Sequence, residues 1–482
     1  MPDDPRPPDD IDEKTEPHSV AGLEADVEGP TQAIVRRGGT FAAFRHRDYS
    51  LFWSGALVSN VGSWMQMFAL SVVVYALRHS ESDLGIINGL SNLPVLFLAI
   101  PAGLLADRVN RRTLLIWSQV GLGIQALVLG WLYASGNLSA SRPVLSLAII
   151  SALGLLAGLL SALTFPAWQS MVPDLVPRDV LLNGIALNAA QFQSARLLGP
   201  LAAAGVLLIG LGMADIFYIN AASFIFVIAA LAVIRTRRVT PERADRPRTR
   251  EGAWRTLTAG LAYARENRNV GMLIISVAMM TVFGMPYMML LPALVDKALI
   301  PAAIIGTARD PLVKAWTSYV MSANGLGALA GALIVASLPR GIRRGPLVRY
   351  TLMAMAVLLV AFALSRTLWL TVVISTLTGA AFLTSTSLMN TSIQACVPHD
   401  LRGRVMALFV MAFMGLMPVS SLVFGPLGSV IGPMNAVIVG AVVLAGYSLF
   451  LIARPRLLSG DGGCVDGAGA DGPSAGAATP RG

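Results

Sequence analysis

Charged side chains are scarce in this sequence. Only 13% of its 482 residues are charged, 55% are hydrophobic, and the mean hydropathy is +0.66. Charged residues make up about 25% of a typical soluble domain. The composition therefore excludes a soluble protein of this length and indicates a chain that lies mostly in a lipid bilayer.

Residues suited to catalysis or metal binding are equally few. The chain has two cysteines, which match no metal or redox spacing, and four histidines, all in tails or loops: His18, His46, His79 and His399. It contains no HExxH pattern and no pair of catalytic carboxylates. We therefore expect no enzyme, no metal site and no cofactor. The net charge is +9, but the sequence lacks the basic groove with interleaved aromatic residues that binds nucleic acid. A nucleic-acid partner is therefore excluded.

Twelve mostly apolar segments follow one another between residues 50 and 453. A helix needs about 20 such residues to cross a bilayer. The runs are continuous and lack the two-residue alternation of an outer-membrane barrel, so helices are the expected structure. The sequence predicts an all-α membrane protein with twelve transmembrane helices.

Arginines are distributed unevenly between the predicted loops. One set of loops carries clusters such as Arg45 and Arg47, Arg111 and Arg112, and Arg402 and Arg404. The other set carries only Arg78, Arg142, Lys297, Arg309, Lys314 and Arg366. Because positive charge accumulates on the cytoplasmic side, both termini are predicted to be cytoplasmic in a multi-pass protein of the inner or plasma membrane.

Composition also divides the chain. Residues 1–45 and 455–482 cannot bury enough apolar surface to order themselves, and we expect disordered cytoplasmic tails there. Six-helix bundles are predicted at 46–235 and 269–454. The cytoplasmic linker 236–268 joins them, and apolar residues at helical spacing in its second part predict an amphipathic helix on the membrane surface.

The two predicted bundles repeat each other in sequence. Val176-Pro177-Arg178-Asp179 after the fourth helix matches Val397-Pro398-His399-Asp400 after the tenth, and Gly199-Pro200 has its counterpart in Gly425-Pro426. Two copies of a six-helix unit imply a pseudo-two-fold axis, with a binding site where the copies meet near the membrane midplane.

The loop after the second helix carries a family signature. Gly103-Leu-Leu-Ala-Asp107-Arg108-Val-Asn110-Arg111-Arg112 resembles the Gly-x-Leu-Ala-Asp-Arg-x-Gly-Arg-Arg motif of the major facilitator superfamily, with Asn110 in place of glycine. The Val-Pro segments resemble the branch that contains the enterobactin exporter and the macrolide efflux permeases. This resemblance implies the major facilitator fold, two pseudo-symmetric six-helix bundles that rock about a central site.

The resemblance also implies gating residues at the cytoplasmic end. Gly103 allows close helix approach, and Asp107 accepts hydrogen bonds from a helix N-terminus, which in the family stabilises the outward-facing state. Arg108, Arg111 and Arg112 are expected to pair with acids such as Asp174 or Asp179 and to release them as the inner side opens. Arg402 and Arg404 are the other predicted gating residues. The alternative is that these arginines only set topology.

Arg196 is the one lysine or arginine near the middle of a predicted span. A charge at this depth is costly and normally faces a cavity or a bundle interior. Its rigid fork of donors suits a carboxylate, catecholate or phosphate. The other residues predicted to contact substrate or coupling ion are Asn188, Gln191, Gln193, Gln66, Asn60 and Asn390. The alternative is a structural tie from Arg196 to backbone carbonyls or to a buried partner such as Gln66.

Two further features bear on transport. Gly199 and Pro200 resemble, loosely, the fifth-helix antiporter signature of drug exporters, in which these residues bend the helix. No Asp or Glu lies in the middle of a predicted span, so the residue that would bind a coupling proton is not identified.

The sequence predicts a secondary active transporter. Export of a siderophore-like, macrolide-like or other amphiphilic organic molecule, driven by the proton gradient, is the leading function, and the expected partners are that substrate, a proton and membrane lipid, with the chain a monomer. An uptake permease and a non-transporting membrane sensor are the alternatives.

Overall fold

A computed structural model describes residues 41–234, 253–305, 308–339, 342–398 and 401–458. For residues 99–108, 165, 166 and 253–257 it describes the backbone alone. Most of the two predicted tails, and the first part of the linker, lie outside the described residues.

Thirteen long helices form the described part of the chain. In the N-terminal half they are α1 Arg47–Arg78, α2 Glu81–Arg108, α3 Arg111–Ala134, α4 Pro143–Leu175, α5 Leu181–Leu208 and α6 Met213–Val233. In the second half they are α7 Ala253–Glu266, the interrupted helix α8 over 268–299, α9 Arg309–Ser337, α10 Arg344–Leu364, α11 Leu368–Cys396, the interrupted helix α12 Arg402–Ile431 and α13 Pro433–Ala453.

Every helix except α7 is long enough to cross a bilayer. In the described residues, ten of them are also apolar enough to do so by composition. The other two, α2 and α5, have 28 residues each. At about 1.5 Å per residue they exceed the roughly 30 Å hydrocarbon core. The predicted all-α membrane fold is confirmed.

The membrane helices form two bundles of like design. In the first bundle α1 packs on α5 and α6, α3 packs on α4 and α6, and α2 packs on α4. In the second bundle α9 packs on α11, and α10 packs on α11 and α13. The bundles meet along two helix pairs, α2 with α12 and α5 with α9. We call this interface the seam.

Glycines allow close helix contacts within each bundle. A Cβ atom at Gly154 or Gly158 of α4 would strike Ser91 of α2, and one at Gly327 of α9 would strike the Thr376 carbonyl of α11. The four-residue glycine spacing therefore marks tight packing, as small residues commonly do in membranes.

Proline explains the interruption of α8. Pro286 has no amide hydrogen, so the carbonyl of Val282, four residues earlier, loses its helical donor. The preceding turn, Met280–Gly284, widens into a π-helix. The Ser420 hydroxyl of α12 donates to the Val282 carbonyl at 2.9 Å, which satisfies the orphaned oxygen and ties the two interrupted helices together.

Two short helical turns lie at the inner ends of the predicted tails. Ala42–Arg45 and Pro455–Leu458 form short 3-10 helices. Ala43 and Leu458 are buried because each packs against the apolar core of its bundle. Helical structure therefore extends a few residues into both predicted tails, whose disorder stays a prediction.

The predicted linker helix is present as α7. Its Gly260 lies against the backbone of Arg404, and the Tyr263 hydroxyl donates to the Cys396 carbonyl at 3.3 Å. The helix therefore packs on the ends of α11 and α12 in the second bundle. Its position on the membrane surface stays a prediction.

We predict opposite effects of alanine at two helical glycines. Alanine normally stabilises a helix interior by up to about 1 kcal/mol relative to glycine. Gly446→Ala in α13 meets no atom within 4 Å and should raise the unfolding temperature slightly. Gly327→Ala should lower it, because the new methyl group strikes α11. Thermal unfolding of the purified protein in detergent measures both, and a stabilising Gly327→Ala would contradict this packing.

Candidate functional site

Arg196 lies at the middle of α5 on the seam. Its side chain is buried, with 5% of the residue exposed. The Nη2 atom donates to Asn324 Oδ1 of α9 at 2.5 Å. A charged side chain of the first bundle therefore binds directly to the second.

Asn324 also donates hydrogen bonds to two more helices. Its Nδ2 atom donates to the Tyr287 hydroxyl of α8 at 2.6 Å and to the Ser375 carbonyl of α11 at 3.2 Å. Asn324 is fully buried, so a hydrogen-bonded chain runs from α5 through three helices of the second bundle. Such a chain holds the guanidinium in a fixed position.

Two aromatic rings flank the guanidinium. The Arg196 Cζ atom lies 5.6 Å from the centroid of the Trp64 ring of α1 and 5.4 Å from that of Phe382 of α11. At these distances the ring faces attract the cation. The rings belong to different bundles, so the cation is shared across the seam.

Several buried polar atoms in this part of α5 lack a hydrogen-bond partner in the described part of the chain. They are Arg196 Nε, Gln191 Nε2 and Gln193 Oε1. No carboxylate of the described residues forms an ion pair with Arg196. A buried charge without a counter-charge is costly, and so are buried donors without acceptors. The site is therefore suited to a ligand that brings negative charge and acceptor oxygens.

The other predicted contact residues lie in several places. Asn60 Nδ2 is 3.4 Å from Gln191 Oε1, which places Asn60 beside the Arg196 cluster. Asn188 is half-buried one turn before Gln191 on α5. Asn390 lies close to the end of α11, where it accepts a hydrogen bond from Gln394 at 2.9 Å.

Gln66 is not the partner of Arg196. Its Nε2 donates to Gln125 at 3.1 Å and its Oε1 accepts from Asn220 at 2.7 Å, both within the first bundle. Both ends of its amide are thus engaged within the first bundle. Asn324 is the partner of Arg196 that the alternative interpretation expected Gln66 to be.

Gly199 and Pro200 lie one turn beyond Arg196. A Cβ atom added at Gly199 would lie only 2.4 Å from Trp64 Cβ of α1 and would clash with it. This glycine therefore lets α1 and α5 touch. Pro200 removes the helical donor of the Arg196 carbonyl. Gly199 therefore packs α5 against Trp64 of α1, and Pro200 changes the backbone hydrogen bonding next to Arg196.

The predicted gating arginines lie at one end of the molecule, which we call the basic face. Arg111 Nη1 pairs with Asp174 at 3.2 Å, one of the two acids predicted for it. Arg112 instead donates from Nε to the Leu231 carbonyl at 2.5 Å and from Nη2 to the Ala232 carbonyl. It binds the C-terminus of α6, where the helix dipole favours a cation.

The remaining gating residues lie at the start of α12 or at the end of α2. Arg402 Nε is buried without a hydrogen-bond partner in the described residues, and Arg404 lies under α7. For Gly103, Asp107 and Arg108 the structure describes the backbone alone.

At the opposite face the seam carries a set of polar contacts, which we call the latch. The Tyr75 hydroxyl of α1 donates to Asp296 of α8 at 2.9 Å, and Lys297 of α8 donates to Glu81 of α2 at 2.5 Å. The Ser82 hydroxyl donates to the Ser429 hydroxyl of α12 at 2.9 Å. The opposite-face ends of the two bundles are therefore joined.

The latch acids are buried, and Asp296 has further partners. Glu81 is 2% and Asp296 8% exposed. Arg309 Nε donates to Asp296 Oδ1 at 2.6 Å, and His79 Nδ1 lies 4.0 Å from Asp296 Oδ2. Gly85 and Gly425 lie against each other beside these pairs, where an added Cβ would have no room.

Sequence reasoning missed Asn324, Tyr287, Trp64 and Phe382 as site residues. Asn324 carried one usable signal, because an amide at mid-span in an apolar helix is seldom left unpaired. The aromatic residues carried none, since rings are common in membrane helices. Their role depends on how α1, α8, α9 and α11 approach α5.

Comparison with known proteins assigns the chain to a family. Residues 38–462 match the family model described as transmembrane secretion effector. The chain is 25% identical to the enterobactin exporter EntS of Escherichia coli O1:K1 over 414 residues, covering 86% of this chain and 92% of that protein. It is 26% identical over 209 residues to the uncharacterized MFS-type transporter YfiS of Bacillus subtilis (strain 168), covering 43% and 47% of the two chains.

Solved structures share the fold. The D-xylose-proton symporter superposes with a TM-score of 0.65 at 14% identity, covering 85% of this chain and 97% of that chain. A bacterial homologue of the human lysosomal transporter Spinster, inward-facing and unoccupied, gives a TM-score of 0.61 at 13% identity, covering 86% and 98%. The chain therefore belongs to the transmembrane secretion effector family of the major facilitator superfamily and is a multi-pass membrane transporter.

Proposed function

We propose that this transporter exports an anionic or amphiphilic organic molecule across the cytoplasmic membrane, with Arg196 at the centre of the substrate site. The observation that carries the proposal is the buried guanidinium at the seam, which has no ion-pair partner among the described residues. The basic face is cytoplasmic in this proposal, as positive-inside orientation requires.

The chemistry of the cluster favours an anionic group on the substrate. The unpartnered Nε of Arg196 and Nε2 of Gln191 are donors, and a carboxylate, catecholate or phosphate supplies the missing acceptors. The Trp64 and Phe382 rings offer apolar surface to the body of the same molecule. A neutral sugar would leave the charge uncompensated.

The position of the cluster supports alternating access. Arg196 bridges the bundles at mid-depth, and the latch bridges them at the opposite face. A substrate anion that competes with Asn324 for the guanidinium would loosen the central tie between the bundles. The latch would then open toward the outside and release the substrate there, while the basic-face residues Gly103, Asp107, Arg108, Arg111, Arg112, Arg402 and Arg404 close.

The direction of transport is supported by one relative. EntS is named as an exporter and aligns over 92% of its length. The xylose symporter shares only the fold. We propose that the proton gradient drives export.

We expect Arg196→Gln to reduce flux of an anionic substrate at least tenfold in proteoliposomes. Hydrogen bonds to a charged group contribute about 1.5–3 kcal/mol, and about 1.4 kcal/mol corresponds to a factor of ten. Asn324→Asp should also reduce this flux at least tenfold, because it gives Arg196 a permanent internal counter-charge. Arg196→Lys should fall between, since it keeps the charge but loses the planar fork.

Arg349→Gln is the matched control for these variants. Arg349 is also a buried arginine, 8% exposed, but it lies in α10 and donates to the Leu451 carbonyl away from the seam. It should retain flux when its yield and unfolding temperature match those of Arg196→Gln. Equal flux in Arg196→Gln and the unmodified chain would refute a central role for the guanidinium.

A disulfide across the latch should stop transport reversibly. Ser82→Cys with Ser429→Cys places two thiols where the hydroxyl oxygens are now 2.9 Å apart. In a chain that also carries Cys396→Ala and Cys464→Ala, oxidation should abolish flux and a reductant should restore it, whereas either single cysteine should have no such effect. Full flux through the cross-linked protein would rule out opening at this face.

Vesicle orientation tests the direction. Export predicts that the substrate accumulates in inverted vesicles with an acidic interior and not in right-side-out vesicles. Accumulation only in right-side-out vesicles would establish an uptake permease. Absence of flux in both, together with substrate binding to the purified protein, would indicate a non-transporting sensor.

A further inference from the structure

A groove lies between α1 and α6 on the outer surface of the first bundle, away from the seam. Its volume is about 300 Å³. Small residues form the floor and larger apolar residues form the walls. The lining residues are Leu51, Ser54, Gly55, Val58, Phe226, Ala229, Ala230 and Val233.

The groove has an apolar wall that faces outward. Phe226 is 59% and Val58 40% exposed. Gly55 brings α1 against α6 at the base, since its added Cβ would lie 3.0 Å from the Phe226 carbonyl and 3.1 Å from Ala230 Cβ. The helices therefore touch at the floor and leave a channel above it, whose lining suits a hydrocarbon chain.

The groove adjoins a basic pocket of about 610 Å³ at the basic face. Leu51 and Ser54 line both, so the two spaces are neighbours along α1. Arg45 and Arg47 line the basic pocket and are exposed. Across the described residues, neither arginine side chain has a hydrogen bond or an ion pair. Asp48 is the acid next to them in sequence.

Other polar groups of the basic pocket are already occupied. The Ser50 hydroxyl donates to the Phe44 carbonyl at 2.8 Å, and Trp53 Nε1 donates to the Leu187 carbonyl at 2.9 Å. The two guanidinium groups are therefore the donors available to a ligand. Arginine forks match phosphate oxygens in geometry and charge.

The length of the groove matches one membrane leaflet. Val58, at its deep end, follows Arg47 by 11 positions. At about 1.5 Å per residue this is roughly 16 Å along the helix. Half of the hydrocarbon core is about 15 Å. A lipid with its phosphate at Arg47 would reach the deep end with its acyl chain.

We propose that this groove is a binding site for an anionic phospholipid of the leaflet that adjoins the basic face. The acyl chain lies over the floor between α1 and α6, and the phosphate binds Arg45 and Arg47. Basic pockets between membrane helices bind anionic headgroups by the same combination of charge and apolar surface. The site is separate from the Arg196 cluster, so it does not depend on the proposed substrate.

Native mass spectrometry of the full chain in detergent tests the site with two lipids of identical acyl chains. Phosphatidylglycerol should bind at least tenfold more tightly than phosphatidylcholine. Arg45→Gln with Arg47→Gln should weaken phosphatidylglycerol binding about thirtyfold, from roughly 1 kcal/mol per arginine. Arg178→Gln with Arg343→Gln removes two exposed arginines elsewhere on the basic face and should leave binding unchanged.

The acyl part of the site needs a separate variant. Ala229→Phe fills the floor while both arginines remain, and it should weaken phosphatidylglycerol binding severalfold or more. Unchanged binding in Ala229→Phe would show that surface charge alone attracts the lipid. Equal loss in the Arg178/Arg343 control, or competition by inorganic phosphate at similar affinity to the lipid, would likewise overturn the proposal.

Discussion

A buried guanidinium between two helix bundles is the constraint on which the rest of this structure depends. A charged side chain at the centre of a bilayer costs about 2.5–3.5 kcal/mol on insertion scales and more when it is isolated. Here Arg196 is stabilised by Asn324 and by the rings of Trp64 and Phe382, which come from both bundles. Partial compensation keeps the charge in place and leaves donors for a ligand. The bundles must therefore stay close at this depth for the charge to be tolerated.

Packing around the site follows from that requirement. Gly325 of α9 lies against the backbone of Arg196 and Leu197, so the two helices approach closely where the charge crosses the seam. Gly199 does the same for α1 and α5. Small residues let helix backbones approach closely. The distance between α5 and α9 is therefore short enough for the asparagine side chain of α9 to reach Arg196.

The interrupted helices supply a different property. Pro286 breaks the backbone ladder of α8, and Ser420 of α12 satisfies the freed Val282 carbonyl. The Val282 carbonyl therefore takes its donor from another helix and not from the backbone of α8. Both helices also contribute to the latch, through Asp296 and Ser429, so local rearrangement in them is suited to open the opposite face.

The sequence by itself determined the membrane environment, the helical class and the internal repeat, because twenty-residue apolar runs and their arginine flanks depend on local composition alone. It also identified Arg196, since a charge inside an apolar run is visible without a fold. Tertiary structure alone decided that Asn324, rather than Gln66, receives the guanidinium, and that Tyr75 and Glu81 meet Asp296 and Lys297. These partners are more than a hundred residues apart, and only the relative placement of the two bundles brings such residues within hydrogen-bond distance.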